Sequence, residues 1–534
     1  MLPAYVAAGT AVLALLTDLL FPGRWSVPAI VVGIGAVGTG AAAVVAGLGD
    51  GVRGSFCAQG ACSYEADSLA VLVGVVFAIL TVGTLALSGP ILRAKVVPAG
   101  EYAFLLACSM TGGVLLGGAR DLILLIVAVE TVTIPLYVLV GLRRQARAAE
   151  ASLTFFITSV VATSVALLGA GLIYAASGTV MVGRLDDLLA VASRMEGVET
   201  LIPVGIVLLL VGLAVKVAAV PVHGWAAPTY DGAPLPVAAF LSTASKFAGI
   251  TSLLIVLSGL RGQYDVAGPT LAVVAVLTMT VGNLVALRQR RMVRLLAWSS
   301  IAQGGYLLAP LGALAGWRVG HMIDATLAYT VFFIVLEFGV FATLVAVRGA
   351  ADGGEIAAYR GVARRSWWVG AALVLALTGL AGLPPGIAGL FAKVAVIESV
   401  IDAGGNWLAV VVALNAVVAL AYYARLIGVL FAGPEPAGVA AGAISGASEP
   451  AAAGPEPAGA PEPATATPAK TAVATLAPVV RAGDPRTVPP TCPAIAVVVA
   501  IVVVTVTGVA IGLAPQLVLD VAKSAADGLV VNLG

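Results

Sequence analysis

Charge is what this sequence has least of. Of its 534 residues only 10% are Asp, Glu, Lys or Arg, while 60% are hydrophobic, and the mean hydropathy is +1.07. Soluble globular chains carry about 25% charged and about 45–50% apolar residues, so the soluble enzyme classes are argued against at once. The formal net charge is +1, which leaves no cationic surplus for phosphate backbones and argues against nucleic-acid binding. Histidine is down to two residues and cysteine to four. With neither a Cys quartet nor a His cluster, zinc and iron–sulfur sites are not expected. A glycine-rich phosphate loop after a strand is also missing. So is period-2 alternation, which argues against a β-barrel. The N-terminus lacks a basic leader, and Asp18 interrupts its first apolar stretch, so it reads as a first span and not a signal peptide. What remains is an all-α polytopic membrane protein, because backbone groups inside a bilayer must be satisfied within each segment.

A span needs about 20 apolar residues. Fourteen candidates can be placed, at 3–21, 27–47, 68–90, 101–118, 121–141, 152–176, 201–226, 233–258, 267–287, 294–314, 321–347, 367–399, 406–432 and 493–513. The seventh contains Pro221 and the twelfth contains Pro384 and Pro385, so both are expected to be broken helices. The organisation expected is a three-helix segment at 1–98, a ten-helix core at 99–432, a loop at 433–492, and a last helix with a tail at 493–534. The stretch 433–490 holds 12 of the 29 prolines. It cannot bury enough apolar surface to fold and reads as a disordered tether.

Alternate loops divide the basic residues unevenly. One side collects fifteen Lys and Arg, with three more in the Pro-rich loop, and the other side collects seven. The positive-inside rule puts the richer side in the cytoplasm. Both termini then lie outside, as does the polar loop holding Cys57 and Cys62, which would pair as a disulfide in an oxidising compartment. Cys108 falls mid-helix and Cys492 just before the last span.

Three basic residues do not fall in loops or tails: Lys216, Lys246 and Lys393. Glu130 and Glu337 also fall deep inside spans. A charge at the bilayer centre costs about 2.5–3.5 kcal/mol or more on insertion scales, so five such residues mark an ion or proton path. Burial disfavours the ammonium form of lysine and a nearby carboxylate favours it, so a Lys/Glu row can pass protons. Glu130 is the natural partner of Lys216. His223 follows Lys216 by seven residues, roughly the same helical face, with Pro221 between them. Ser242 precedes Lys246 by one turn. Lys393 follows the Pro384–Pro385 break by two turns. A lysine near a break in two oppositely running helices suggests an inverted repeat. Set against this, a buried Lys–Glu pair can merely pin two helices. Glu337 suits a local salt bridge or a lining role, Asp18 a packing contact, and Glu150 a solvated pair with Arg143 and Arg147.

Four stretches carry a resemblance to a known family: "ETVTIPLYVLVGLRR" (130–144), "GLAVKVAAVPVHGWAAPTYDGAPLPVAAFLSTASK" (212–246), "GNLVALRQRRMVRLLAWSSIAQGGYLL" (282–308) and "LTGLAGLPPGIAGLFAK" (377–393). They closely resemble the antiporter-like subunits of complex I, NADH:quinone oxidoreductase, over roughly residues 100–430. Within that family, "PTYDGAPLPVAAFLSTASK" and a Lys at 393 resemble the subunit N branch. The resemblance implies fourteen helices with two inverted five-helix repeats, spans 4–8 and 9–13. It implies a Glu–Lys pair at Glu130 and Lys216, a connecting Lys246, and a terminal Lys393, which together would pass protons. It implies no cofactor in this chain, with FMN and iron–sulfur clusters, NADH oxidation and quinone reduction in partner subunits. The partners implied are a second antiporter-like subunit and small membrane subunits in a bacterial cytoplasmic membrane. Gln303, Glu337 and Thr154 depart from the family pattern, which has His, commonly Asn, and often Lys at these places. An amide does not titrate, so the Lys246–Lys393 link would run through water or the Gln303 amide, with Glu337 compensating. Two other readings share the same residues. A subunit of an Mrp-type cation/proton antiporter would co-purify only with small membrane subunits. An inert scaffold would keep its proton flux when all three lysines are neutralised.

Overall fold

The computed structural model describes residues 1–48, 51–58, 60–195, 197–198, 200–314, 319–433 and 494–531. The expected tether and Cys492 therefore lie outside the described residues, apart from Gly433. The chain opens with α1 (Leu2–Leu20) and α2 (Ser26–Gly47), then a hairpin of β1 (Arg53–Ala58) and β2 (Ala61–Ala66). Next come α3 (Ser68–Arg93), α4 (Ala99–Gly117), α5 (Leu122–Gly141), α6 (Ala146–Ser177) and the short α7 (Val182–Ala192). The middle of the chain holds α8 (Leu201–Ala214), α9 (Ala226–Gly232), α10 (Leu235–Phe240), α11 (Lys246–Ser258), α12 (Tyr264–Ala286) and α13 (Met292–Gly312). It continues with α14 (Val319–Arg348), α15 (Val362–Arg365), α16 (Trp367–Ala381), α17 (Ile387–Asp402), α18 (Asn406–Phe431), α19 (Ile495–Leu513) and α20 (Gln516–Val531).

Eleven of the described helical segments are long and apolar enough to cross a membrane. The protein is thus a helical multi-pass membrane protein. Large apolar side chains on α1, α18 and α19 stay exposed, among them Leu19, Val417 and Leu513, as a lipid-facing surface requires. The segment from Leu235 to Ser258 is the reverse case, buried along its whole length. It packs against α3, α4, α5, α8 and α14.

The broken helices are real, but one breaks elsewhere than Pro221. Helix α8 ends at Ala214, a 3-10 turn covers Val215–Val217, and Ala218 takes φ +61°. The chain has left the helix well before Pro221. The reading of Lys216 and His223 as neighbours on one helical face is therefore corrected: residues 218–225 are not helical. In the twelfth predicted span the break falls between Ala381 and Ile387, around Pro384 and Pro385 as expected.

Two helices were not foreseen, because both are short and amphipathic. α7 buries Val182, Leu185, Leu189 and Ala192 while Arg184, Asp186 and Asp187 break its hydropathy. α20 occupies what reads as a tail and buries Val518, Ala522, Ala525, Ala526 and Leu529.

The loops contact one another in two separate groups. In one, Glu65 N–H donates to Gly118 O (2.8 Å) and Arg120 N–H to Ser63 O (2.8 Å), and Arg120 pairs with Asp67 and with Glu65 (3.6 Å). Burial pushes the Glu65 carboxyl up from its ordinary value, with Arg120 opposing. Cys57 and Cys62 form a disulfide across this hairpin. The other group holds Arg143, Arg147, Asp231, Arg291, Arg348 and Asp352. This is the division that the alternating basic residues anticipate.

Close helix packing rests on glycines at a few points. A Cβ on Gly169 of α6 would collide with the Leu209 backbone nitrogen of α8, while Gly171 on the same helix has nothing within 4 Å. Small residues let transmembrane backbones approach this way. Gly169→Ala is expected to push α6 from α8 and cost about 1–3 kcal/mol. Gly171→Ala should be neutral or slightly stabilising, because Ala is the better helix former. Thermal unfolding of the purified assembly in detergent would separate the two, and equal melting points would refute this account.

Candidate functional site

The interior polar groups sit where helices break. α5 starts cleanly because Asp121 caps it, its carboxylate accepting from Leu124 N–H (2.7 Å), which satisfies an otherwise orphan donor. Glu130 lies midway along that helix. Lys216 lies in the 3-10 turn that ends α8, with its side chain 4% exposed. Its Nζ donates to Glu130 Oε1 (2.9 Å) and to Ser159 Oγ (2.6 Å). Glu130 Oε1 also accepts from Thr163 Oγ (2.5 Å), and Oε2 from Tyr137 OH (3.4 Å). Ser159 and Thr163 lie one turn apart on α6, so one helix face serves both members of the pair. The Glu130 side chain keeps 20% of its surface exposed. The pair is therefore closed around the lysine and open at the carboxylate. The end of α8 is held by Trp225, whose Nε1 donates to Val215 O (3.0 Å) while its ring stacks on Phe155 at 4.4 Å.

Lys246 begins α11 directly after a π-turn over Leu241–Ser245. Single π-turns inside α-helices are frequent at functional sites. Its Nζ donates to Val217 O (2.6 Å), and Ser245 Oγ donates to Lys216 O (3.3 Å). Ser245, not Ser242, faces the broken helix; Ser242 bonds back to Ala239 O within its own turn. Thus Lys216 and Lys246 meet through consecutive residues of one break. The last carbonyls of a helix lack internal partners and carry its negative dipole end, which suits a cation.

Lys393 on α17 repeats that arrangement. Its Nζ donates to Leu380 O (3.1 Å) and Ala381 O (2.7 Å), the last carbonyls of α16, and lies 5.3 Å from the Tyr306 ring centroid. Gln303 of α13 stands between the two lysines. Its Nε2 donates to the same Leu380 O (3.1 Å), while a Cβ on its neighbour Gly304 would lie 3.4 Å from Lys246 Nζ. Gly382 makes room for Lys393: at φ +80° it ends α16, and a Cβ there would meet Lys393 Cδ at 2.9 Å.

Other expected residues are placed differently. Glu337 on α14 is fully buried, and neither carboxylate oxygen has a hydrogen-bond partner among the described residues. Among the described residues it makes no salt bridge, which leaves the lining role of the two expected for it. It lies within electrostatic reach of Lys246, Tyr230 and Tyr423. His223 packs edge-on to Trp298 at 5.2 Å, and Pro221 sits in the irregular segment beside it. Pro384 and Pro385 lie in the α16–α17 break. Asp18 packs against Gly100, where a Cβ would collide with its carboxylate. Glu150 stays exposed; Arg147 pairs with Asp231, and Arg143 donates to Ala350 O (2.6 Å).

Ser159, Thr163 and Tyr137 surround the Glu130–Lys216 pair, yet nothing in the sequence sets them apart from other polar residues in the spans. Asp231, 2% exposed between Arg147 and Arg291, carries no such signal either. Arg291 Nε donates to both Asp231 oxygens at 3.0 Å and its Nη2 donates to Asp352 Oδ2 at 2.9 Å. Burial pushes the Asp352 carboxyl up, but Arg291 and Arg348 outweigh it and hold the group below its ordinary value.

A helical membrane fold with lysines seated on broken-helix ends and one buried Glu–Lys pair defines an antiporter-like membrane subunit. Residues 119–419 match the family described as "NADH:quinone oxidoreductase/Mrp antiporter, TM". The NADH-quinone oxidoreductase subunit N of Salinispora tropica is 57% identical over 446 residues, covering 82% of this chain and 86% of that one. The subunit N of Rubrobacter xylanophilus is 34% identical, covering 81% and 88%. Among solved structures, a chain of respiratory complex I from Thermus thermophilus superimposes with a TM-score of 0.72 at 26% identity, covering 97% of this chain and 98% of that one. A chain of the Mrp complex from Dietzia shares the fold, with a TM-score of 0.74 at 21% identity over 99% of this chain and 98% of that one. The chain belongs to the NADH:quinone oxidoreductase/Mrp antiporter membrane family, within the subunit N branch of NADH:quinone oxidoreductase.

Proposed function

We propose that this chain, a membrane-arm subunit of NADH:quinone oxidoreductase, carries protons through Glu130, Lys216, Lys246 and Lys393. The observation that carries this reading is the row of three buried lysines, each held by a carboxylate or by carbonyls at a broken helix end. Lys216 is paired with Glu130 at 2.9 Å, Lys246 sits on the carbonyl of the next residue along, Val217, and Lys393 sits on the end of α16. Glu130 modulates the charge on Lys216, Lys216 and Lys246 pass the proton inward, and Lys393 hands it to one side. His223 and Glu337 line this route and Gln303 stands within it. Redox chemistry belongs to other subunits with their FMN and iron–sulfur clusters, and this chain binds no cofactor or metal. Its membrane partners are a second antiporter-like subunit and small membrane subunits.

In the same reading α8 to α9 and α16 to α17 each count as one broken crossing. The chain then makes fourteen crossings in a bacterial cytoplasmic membrane, with two inverted five-helix repeats at crossings 4–8 and 9–13. The 1–98 segment precedes this core, and the 433–492 loop lies in the cytoplasm with both termini outside. Lys393→Met in the intact complex tests the assignment. Reconstituted in vesicles with a pH-sensitive dye, the variant should oxidise NADH with a clearly lower proton yield per NADH than the parent. A normal yield would overturn the role of Lys393.

A further inference from the structure

Leu380 and Ala381 carry two of the last carbonyls of α16, which a helix leaves without internal partners. Gly379 O and Thr378 O are already taken by Gly382 N–H and Leu383 N–H, both at 2.9 Å. Lys393 Nζ takes Ala381 O at 2.7 Å and shares Leu380 O with Gln303, each at 3.1 Å. A carbonyl has two acceptor sites, so the sharing is complete. Gln303 is 1% exposed and comes from a different helix, so it ties α13 to the cradle in which Lys393 sits.

The orientation of the Gln303 amide follows from its partners. Leu380 O can only accept, so the NH2 must face it. The amide oxygen then faces Tyr329 OH, which donates at 2.5 Å. Nε2 also donates to Tyr423 OH at 3.2 Å, and Tyr423 OH shares a 2.5 Å hydrogen bond with Ser299 Oγ. A flipped amide would put oxygen against oxygen at Leu380. A side chain with donor and acceptor ends fixed in this way does not pick up a proton on one side and release it on the other.

We propose that Gln303 is a positioning residue for Lys393: its amide, oriented by Tyr329 and Tyr423, fixes the Leu380 carbonyl on which the Lys393 amine rests. This rests on the reading of Lys393 as a proton carrier. Gln303 acts through the lysine and carries no proton itself.

The test uses the whole complex in vesicles and reads protons per NADH across the neutral-to-alkaline range. Gln303→Leu keeps the bulk and removes the donor. It should lower the yield, by less than Lys393→Met does, and displace the pH profile. Gln303→His places an N–H near the same carbonyl and should recover most of the yield. A parental yield and profile in Gln303→Leu, with the proton yield of Lys393→Met lowered, would overturn the positioning role alone. A normal yield in Lys393→Met would overturn the reading it rests on. If Gln303→Leu fails to assemble, Tyr329→Phe removes the orienting donor and leaves the amide. A smaller displacement in the same direction supports the proposal, and an unchanged profile refutes it.

Discussion

Lys216→Met is expected to abolish proton translocation while the complex still assembles. The side chain it removes is 4% exposed and holds Glu130 at 2.9 Å and Ser159 at 2.6 Å. Removing one partner of a buried ion pair leaves the other uncompensated, at about 3–5 kcal/mol. Here that figure is an upper bound, for two reasons visible in the geometry. Glu130 keeps 20% of its surface and retains Thr163 and Tyr137 as donors. The fold therefore survives, but the group whose charge answers to Glu130 is gone. The double variant Glu130→Gln with Lys216→Met separates the two effects. Both charges are then absent, so stability should return toward the parent while pumping stays lost. Native gels report assembly, and dye quenching in vesicles reports protons per NADH. A single variant with a normal proton yield would remove Lys216 from the route. A double variant that pumps would remove the pair altogether.

The lysines were legible in the sequence because each is costly where it stands. A charge inside an apolar run of 20 residues demands a reason, and the reason turned out to be spatial: Glu130 for Lys216, helix ends for Lys246 and Lys393. What holds those two lysines was not legible, because Val217, Leu380 and Ala381 contribute backbone oxygens, which no residue type announces. The first break was misplaced for a similar reason. Pro221 is the visible breaker, yet the chain leaves the helix at Ala218, a residue with no outward sign of a left-handed backbone. Helices α7 and α20 escaped notice because 11 and 16 residues are too few to cross a membrane, and their buried faces show only as weak periodicity among charged neighbours. The long spans were legible throughout, since hydropathy over 20 residues leaves little else for the backbone to do.

Asp231→Asn is expected to be the most destabilising single change in the loop group of Arg147, Asp231, Arg291 and Asp352. Asp231 falls in a polar turn between spans, where an acidic residue passes for a solvated one. In the structure its side chain is 2% exposed and receives Arg147 and Arg291 together. The two arginines are not equivalent. Arg147 is 48% exposed and can turn its guanidinium to water, whereas Arg291 is 24% exposed and also holds Asp352. An asparagine keeps the shape but offers N–H where a second acceptor stood, leaving Arg291 partly buried and half-paired. A cost near 3 kcal/mol is expected, at the low end for a broken buried pair, and should appear as a several-fold drop in assembled complex. Asp352→Asn serves as the comparison. Its side chain is 44% exposed, and exposed pairs are worth about 0–1 kcal/mol, so that variant should assemble nearly as the parent does. Acid acts on Asp352 in a defined sense. The Asp352 carboxyl is held below its ordinary value by Arg291 and Arg348. Its contribution is therefore present above the ordinary carboxylate range, about 3.9, and is lost as pH falls through the lower folded value. Equal assembly of the two variants at neutral pH would show that burial does not set the worth of Asp231. The junction of α9 and α13 would then be held by the packing of its apolar residues instead.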